Sequence, residues 1–331
     1  SLKLFARTFL MKIILILSYL LATQIYAQAP RPWQVKYSTW DNSHEQIYQD
    51  FIKRFALAAK NKSHKCNTHI AKDIGYGSQF ECFMNDPQVN IWRALDPKKA
   101  HYYSDCADCP YILRAYVAYQ NSLPFSYIKT VTPRVNDGKD TRYSTKGNTP
   151  AKRAVVTSGT QAFGENLMFA GSGSQVNLMD IISTAMYRIG PVKNNDEIVS
   201  VGGADEQSDF FPLKLDRSII KRGDVIYSSS GHAMMIDTIN EDGTIDIFQC
   251  HTNGYVTAKR LTPERLMWSH AYSGFGIKAW RPFHLLENGS AQMVPNSKLT
   301  ALSSTQQYRN KPSEYIYNNK NYSFWDFLKI N

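Results

Sequence analysis

Arg222–His251 reads RGDVIYSSSGHAMMIDTINEDGTIDIFQCH. Apolar runs at Asp224–Tyr227, Ala233–Thr238 and Thr244–Cys250, the last two separated by Asp-Gly, predict three consecutive strands. In the middle run Met234 and Ile236 alternate with Ala233 and Met235, so both of its faces are apolar. A strand of that kind belongs in the centre of a sheet covered on both sides. His232 leads it at the rim, where a general base would stand. A lone satisfied core histidine is the commoner role for an isolated imidazole. His232 is singled out because a cysteine-bearing helix start lies upstream of it.

That second stretch is Ser104–Phe125, SDCADCPYILRAYVAYQNSLPF. Pro110 suits the first turn of a helix, where its missing N–H is no loss. A helix beginning around Ala107–Cys109 puts Cys106 at the mouth and Cys109 one turn inward. Unpaired N–H groups and the helix dipole favour a thiolate at the mouth, whereas Asp105 and Asp108 disfavour it unless they cap the helix and point away. Three plainer outcomes stand beside a nucleophile: a Cys106–Cys109 disulfide, two quiet thiols, or a redox C-x-x-C. A thioredoxin-type site wants a hydrophobic strand leading into it, and HYYSD is a poor one.

Cys first, His on a later strand and a polar residue to hold the imidazole is an arrangement for nucleophilic catalysis. The register of the hairpin chooses the third member. A two-residue type I′ turn at Asp242-Gly243 pairs Glu241 with Thr244, Ile236 with Gln249 and Met234 with His251. Gln249 and His251 then share the face of His232, with His251 the first choice to hold its ring and Gln249 the second. A three-residue loop would instead bring Phe248 and Cys250 to that face. His44, His64, His69, His101, His270 and His284 have no comparable context. Arg-Gly-Asp at 222–224 runs straight into a strand rather than sitting at a loop tip, so no adhesion role is assigned to it.

These residues resemble the papain-like superfamily of NlpC/P60 and CHAP cysteine hydrolases. The likeness lies in Asp105-Cys106 opening a helix, in G-D-V-I-Y at 223–227, and in Gly231-His232 followed by a strand with a polar end. The resemblance implies a helix carrying the nucleophile packed on an antiparallel sheet that bears the histidine, and amide hydrolysis, commonly of peptidoglycan stem peptides. Carried over, Cys106 attacks, His232 is the base and His251 orients it; no cofactor or metal is needed. The chain departs from the pattern in the 126 positions from Cys106 to His232 and in Cys-Ala-Asp-Cys-Pro after Asp105. Transglutaminase-like acyl transferases share the implied fold and a long gap, but their third residue is Asp, and position 249 is Gln. A non-catalytic envelope-binding protein and a C-x-x-C thiol–disulfide oxidoreductase are the readings from other classes.

Composition agrees with a folded protein: 331 residues, 43% hydrophobic and 20% charged, with 20 Tyr, 16 Phe and 6 Trp. Residues 1–27 carry Met11-Lys12, an apolar run and a small-residue exit at Ala27, the layout of a secretory signal. Arg7 and Lys12 leave that run too short to span a bilayer. Without this segment the formal charge falls from +10 to +7. A periplasmic or secreted basic protein suits peptidoglycan or another anionic envelope polymer. The Lys and Arg residues are scattered rather than gathered into a stripe, which argues against nucleic acid.

Five cysteines leave at least one unpaired in an oxidising compartment. A disulfide between Cys66 and Cys82 is the default. The rival is a metal site from His64, Cys66, His69 and Cys82, which lacks paired C-x-x-C arms.

The expected organisation is therefore α+β: a signal peptide at 1–27, a helical, disulfide-bearing segment at 28–95, a papain-like catalytic domain at 96–287 and a polar C-terminal tail at 288–331. Ser43 is expected to cap an amphipathic helix with Gln46 closing a capping box. An irregular insert at 130–208 contains one helix, Val176–Ile189. Further strands are expected at Tyr255–Ala258 and Gly276–Arg281.

Overall fold

The computed structural model describes residues 32–67, 78–97, 100, 102, 104–133, 138, 148–159, 193–194, 197–198, 206–227, 232–251, 253–261, 276–301 and 315–330. The signal segment, the Val176–Ile189 helix and His69 lie outside the described residues.

The architecture mixes helices with antiparallel sheets. Its frame is α1 (Asn42–Lys60), α2 (Gln79–Asn85), α3 (Asp108–Gln120) and a series of strands. The first two, β1 (Phe125–Pro133) and β2 (Asn148–Val156), form a long hairpin. A six-stranded sheet follows, built from β3 (Phe210–Pro212), β4 (Val225–Tyr227), β5 (Ala233–Ile239), β6 (Ile245–Cys250), β7 (Val256–Arg260) and β8 (Gly276–Trp280). Its order is β3-β8-β4-β5-β6-β7, with every neighbouring pair antiparallel. Two further hairpins follow: β9 (Phe283–Leu285) with β10 (Ala291–Met293), and β11 (Tyr315–Tyr317) with β12 (Lys320–Tyr322), which leads into α4 (Phe324–Ile330).

Strand alternation divides the interior into two cores. Ala233 and Met235 of β5, with Phe248 and Cys250 of β6, face a cluster built on α1 and α3 that contains Phe51, Phe55 and Tyr116. Met234 and Ile236, with Ile245 and Ile247, face a second cluster closed by Phe327 and Leu328 of α4. The doubly apolar β5 is therefore central and covered on both sides, as its sequence demands. Within the polar C-terminal stretch, α4 docks in the second core through Phe327 and Leu328.

Three local expectations change. Asp41, not Ser43, caps α1: its Oδ1 accepts from the His44 N–H at 3.0 Å, and His44 Nδ1 accepts from the Asp41 N–H at 3.3 Å. A carboxylate at the helix mouth is the stronger acceptor, and the Ser43 hydroxyl donates to it. The start of the presumed irregular insert is regular, because Phe125–Pro133 pairs along its length with Asn148–Val156.

The β5–β6 register also differs. The loop is Glu241-Asp242-Gly243, with the Gly243 N–H donating to the Asn240 carbonyl at 3.0 Å and φ of +83° at Gly243. A type I′ turn needs positive φ at both central residues, and Asp242 does not supply it. The register then slips once more between Ile236 and Thr238, so that Ile236 faces Ile247 and Met235 faces Phe248. Neither simple hairpin register holds throughout, because the bulge adds one residue to β5.

Two charged networks brace the frame. Arg114 of α3 makes a bidentate pair with Glu45 of α1 and lies 3.4 Å from the ring centroid of Trp40. Asp237, at the bulge, takes Lys60 at 2.5 Å and Arg222 at 3.0 Å. Arg-Gly-Asp is thereby built into the frame: Arg222 is tied to Asp237, Gly223 packs on the Tyr48 ring and Asp224 is buried. Among the described residues, no helix is long and apolar enough to cross a membrane.

Candidate active site

Helix α3 begins at Asp108, and Asp105 prepares its entry. Asp105 Oδ1 accepts from the N–H groups of Ala107 at 2.8 Å and Asp108 at 3.1 Å, so two donors at the helix mouth are satisfied. The Asp105 N–H returns to Asp108 Oδ2 at 3.3 Å. Cys106 thus stands at the helix mouth, half-buried and unbridged, and Cys109 lies one turn inward, buried among core side chains. There is no Cys106–Cys109 disulfide.

The helix packs against β5, and the Ala233 N–H at the head of that strand acts on the Cys106 thiol by favouring its thiolate. Ala233 follows His232 directly in the chain. Electrostatics oppose a resting thiolate. Burial, then the Asp105 charge, push the Cys106 thiol up to about 11, and the Ala233 N–H only partly offsets them. Asp108 is buried, and burial with the Asp105 charge raises its carboxyl well above the usual range. Burial and the Asp105 charge thus favour the neutral form of both the Cys106 thiol and the Asp108 carboxyl.

On the imidazole side a hydrogen-bonded chain crosses three strand positions. His232 Nε2 lies 2.8 Å from Gln249 Oε1. The Gln249 amide nitrogen donates to Thr257 Oγ1 at 3.1 Å and lies 3.4 Å from His251 Nε2. Thr257 Oγ1 and His251 Nε2 are 2.8 Å apart, and the two imidazoles stack with centroids 5.8 Å apart. The proton positions follow from donor and acceptor identity. An amide oxygen can only accept, so His232 Nε2 carries a hydrogen and Nδ1 keeps the lone pair. The Thr257 hydroxyl accepts from Gln249 and pairs with His251 Nε2.

Of the three residues selected from sequence, His232 and His251 share one hydrogen-bonded chain, and Cys106 stands at the mouth of α3. The hydrogen bond to the His232 ring comes from Gln249, with His251 next along the chain. Sequence reasoning did not find Thr257, which sits on a strand whose register the sequence left open. It also did not give Asp105 a firm capping role, although an Asp three residues before another Asp at a helix start is a capping signal.

In sequence, Tyr102 and Tyr103 precede the helix and offer hydroxyls as candidate oxyanion donors. Tyr102 is fully buried, and its hydroxyl donates to Asp96 Oδ2 at 2.5 Å. It is committed to the Asp96–Tyr116–Gln120 cluster and does not serve the sulfur. Tyr103 and His101 lie outside the described residues.

The Cys66–Cys82 pair is bridged, with Cα atoms 5.6 Å apart. His64, Cys66 and Asp86 converge beside it, but the Cys66 sulfur is used in the bridge and Lys65 neutralises Asp86 at 2.9 Å. As it stands, that donor set does not suit a cation. No protein-family model, curated protein or solved structure matches the chain.

Proposed function

We propose that the chain is a cysteine hydrolase of papain-like type, exported to the periplasm or beyond, that cleaves amide bonds in peptidoglycan stem peptides. One observation carries this reading: Gln249 Oε1 holds His232 Nε2 at 2.8 Å, which fixes the tautomer with a basic Nδ1. In this proposal Gln249, rather than His251, orients the base, and His251 with Thr257 locks the Gln249 amide the right way round.

The raised thiol shapes the mechanism. The sulfur is not a preformed thiolate, so His232 Nδ1 removes its proton as Cys106 attacks the carbonyl carbon. The Cys106 N–H at the helix mouth faces the developing oxyanion. The His232 imidazolium then protonates the leaving amine, a thioester forms on Cys106, and water activated by His232 releases the acid. No step calls for a bound cofactor.

Incubating purified peptidoglycan with the chain and with Cys106→Ala, followed by mass analysis of soluble fragments, tests the proposal. It requires new amine and carboxyl ends from the wild-type chain only. Equal release by Cys106→Ala, or none by either, overturns it. The raised thiol favours a second reading, a non-catalytic envelope-binding protein on the same frame. Sedimentation of the chain with peptidoglycan, with no fragments released, selects that reading.

A further inference from the structure

The lead-in to α1, the middle of α3 and the turn from β8 into β9 enclose a cleft of about 180 Å³ that is lined by neither Cys106 nor His232. A second recess, of about 430 Å³, adjoins it through Asn42, Glu45, Arg114 and Trp280, which line both. Bonds between distant parts of the chain hold the walls in place. Trp40 Nε1 donates to the Pro124 carbonyl at 2.9 Å, Thr39 Oγ1 to the Phe283 carbonyl at 3.0 Å, and the Leu285 N–H to the Ser38 carbonyl at 2.7 Å. The cleft is therefore preformed, and the recess falls within the size range of small-ligand sites.

Two features of the lining choose the ligand. The first is charge. Glu45 is matched by the bidentate Arg114 and Asp209 by Arg153, at 2.6 Å in each case, and the cleft adds one further acid, Asp41, and one further cation, Arg281. A lining without net charge favours neither an organic cation nor an anion. The second is the mix of rings and carboxylates. Trp40, Phe125, Trp280 and Phe283 supply apolar ring surface, and the Arg114 guanidinium lies 3.4 Å from the Trp40 centroid and 5.8 Å from that of Trp280. Beside them stand carboxylates with acceptor sites to spare. Each Glu45 oxygen takes one guanidinium N–H, and the side chain stays 40% exposed. Asp41 caps α1 through Oδ1, which leaves Oδ2 as an acceptor on a side chain 61% exposed. The complement to such a lining is a neutral ring with an apolar C–H face and an edge of hydroxyl donors, which a sugar provides. We propose that this cleft binds a neutral oligosaccharide, with one ring against Trp40 and Trp280, its hydroxyls on Glu45 and Asp41, and the next ring in the adjoining recess. Binding there calls for no step from Cys106.

Fluorescence titration reads the site directly, because Trp40 and Trp280 belong to its lining. The full chain is titrated with chitotetraose, cellotetraose and maltotetraose, and separately with tetramethylammonium and sulfate. At least one sugar should change the emission saturably, with a Kd in the millimolar range or tighter, and neither ion should. Asp41→Asn keeps the helix cap but replaces the carboxylate by an amide, and Glu45→Gln does the same beside Arg114. Each should weaken sugar binding by about fivefold to tenfold, with helix content unchanged by circular dichroism. Saturation by either ion, no response to any of the sugars, or unchanged affinity in both variants overturns the proposal. Amide cleavage is not read out, so failure here is distinct from failure of the peptidoglycan-fragment assay.

Discussion

Asp105 does two opposed things: its carboxylate caps α3, and its charge raises the thiol one residue away. Asparagine caps a helix about as well as aspartate, so Asp105→Asn isolates the charge. The variant is expected to keep its fold and to lower the Cys106 thiol by about one pH unit, close to a tenfold gain in thiolate at pH 8. The pH dependence of iodoacetamide labelling measures this, and an unchanged profile would show that burial alone sets the thiol. Gln249 offers a complementary test. In Gln249→Glu a carboxylate replaces the amide that faces His232 and favours the imidazolium. Because the proposed base works as neutral imidazole, the acidic limb of the activity profile should move to higher pH. A shift to lower pH would mean that the reactive form is the thiolate–imidazolium pair.

At the scale of elements, the β5–β6 hairpin shows how one residue decides a register. Asp-Gly invites a two-residue turn, but Gly243 alone adopts positive φ, and the loop takes three residues. The reason reaches beyond the hairpin. A Cβ on Gly243 would stand 2.2 Å from the Trp325 carbonyl oxygen of α4, so this glycine is where the C-terminal helix rests on the sheet. Gly243→Ala meets both a backbone strain and a backbone clash. It is expected to cost at least about 2 kcal/mol. Chemical denaturation should give a lower midpoint, with α4 more exposed to proteolysis; an unchanged midpoint would contradict this close approach.

For the whole molecule, the sheet is a partition between two cores, and a cation is buried within it. Lys278 alternates on β8 with Ile277 and Ala279 of the second core and is 5% exposed. Burial pushes its amine down to about 7. The ordinary value of 10.5 applies to the unfolded chain, which therefore holds more protons between these two values. Stability should rise as pH climbs through that window, with the full penalty present below it. Lys278→Met removes the penalty and keeps much of the side-chain volume. It should raise the melting temperature clearly at pH 6 and little at pH 10, by scanning calorimetry. A gain independent of pH would assign the effect to packing instead.

The central strand, the helix that opens near Cys106 and the Cys66–Cys82 bridge could be read from the chain itself. Each rests on local spacing: apolar residues on both faces of Ala233–Ile239, Pro110 in a first helical turn, and two cysteines around a short loop. The long arms of β1 and β2 escaped that reading because their Thr, Lys and Asn residues carry a weak strand signal, which only pairing across the hairpin completes. The partner of His232 was likewise settled by the bulge near Asp237, since a one-residue slip moves every side chain to the other face. What tertiary structure decided was the company each group keeps: Gln249 beside His232, and α4 upon Gly243. Those contacts join residues far apart in sequence, and no local pattern encodes a distance that exists only after the sheet has closed over the helices.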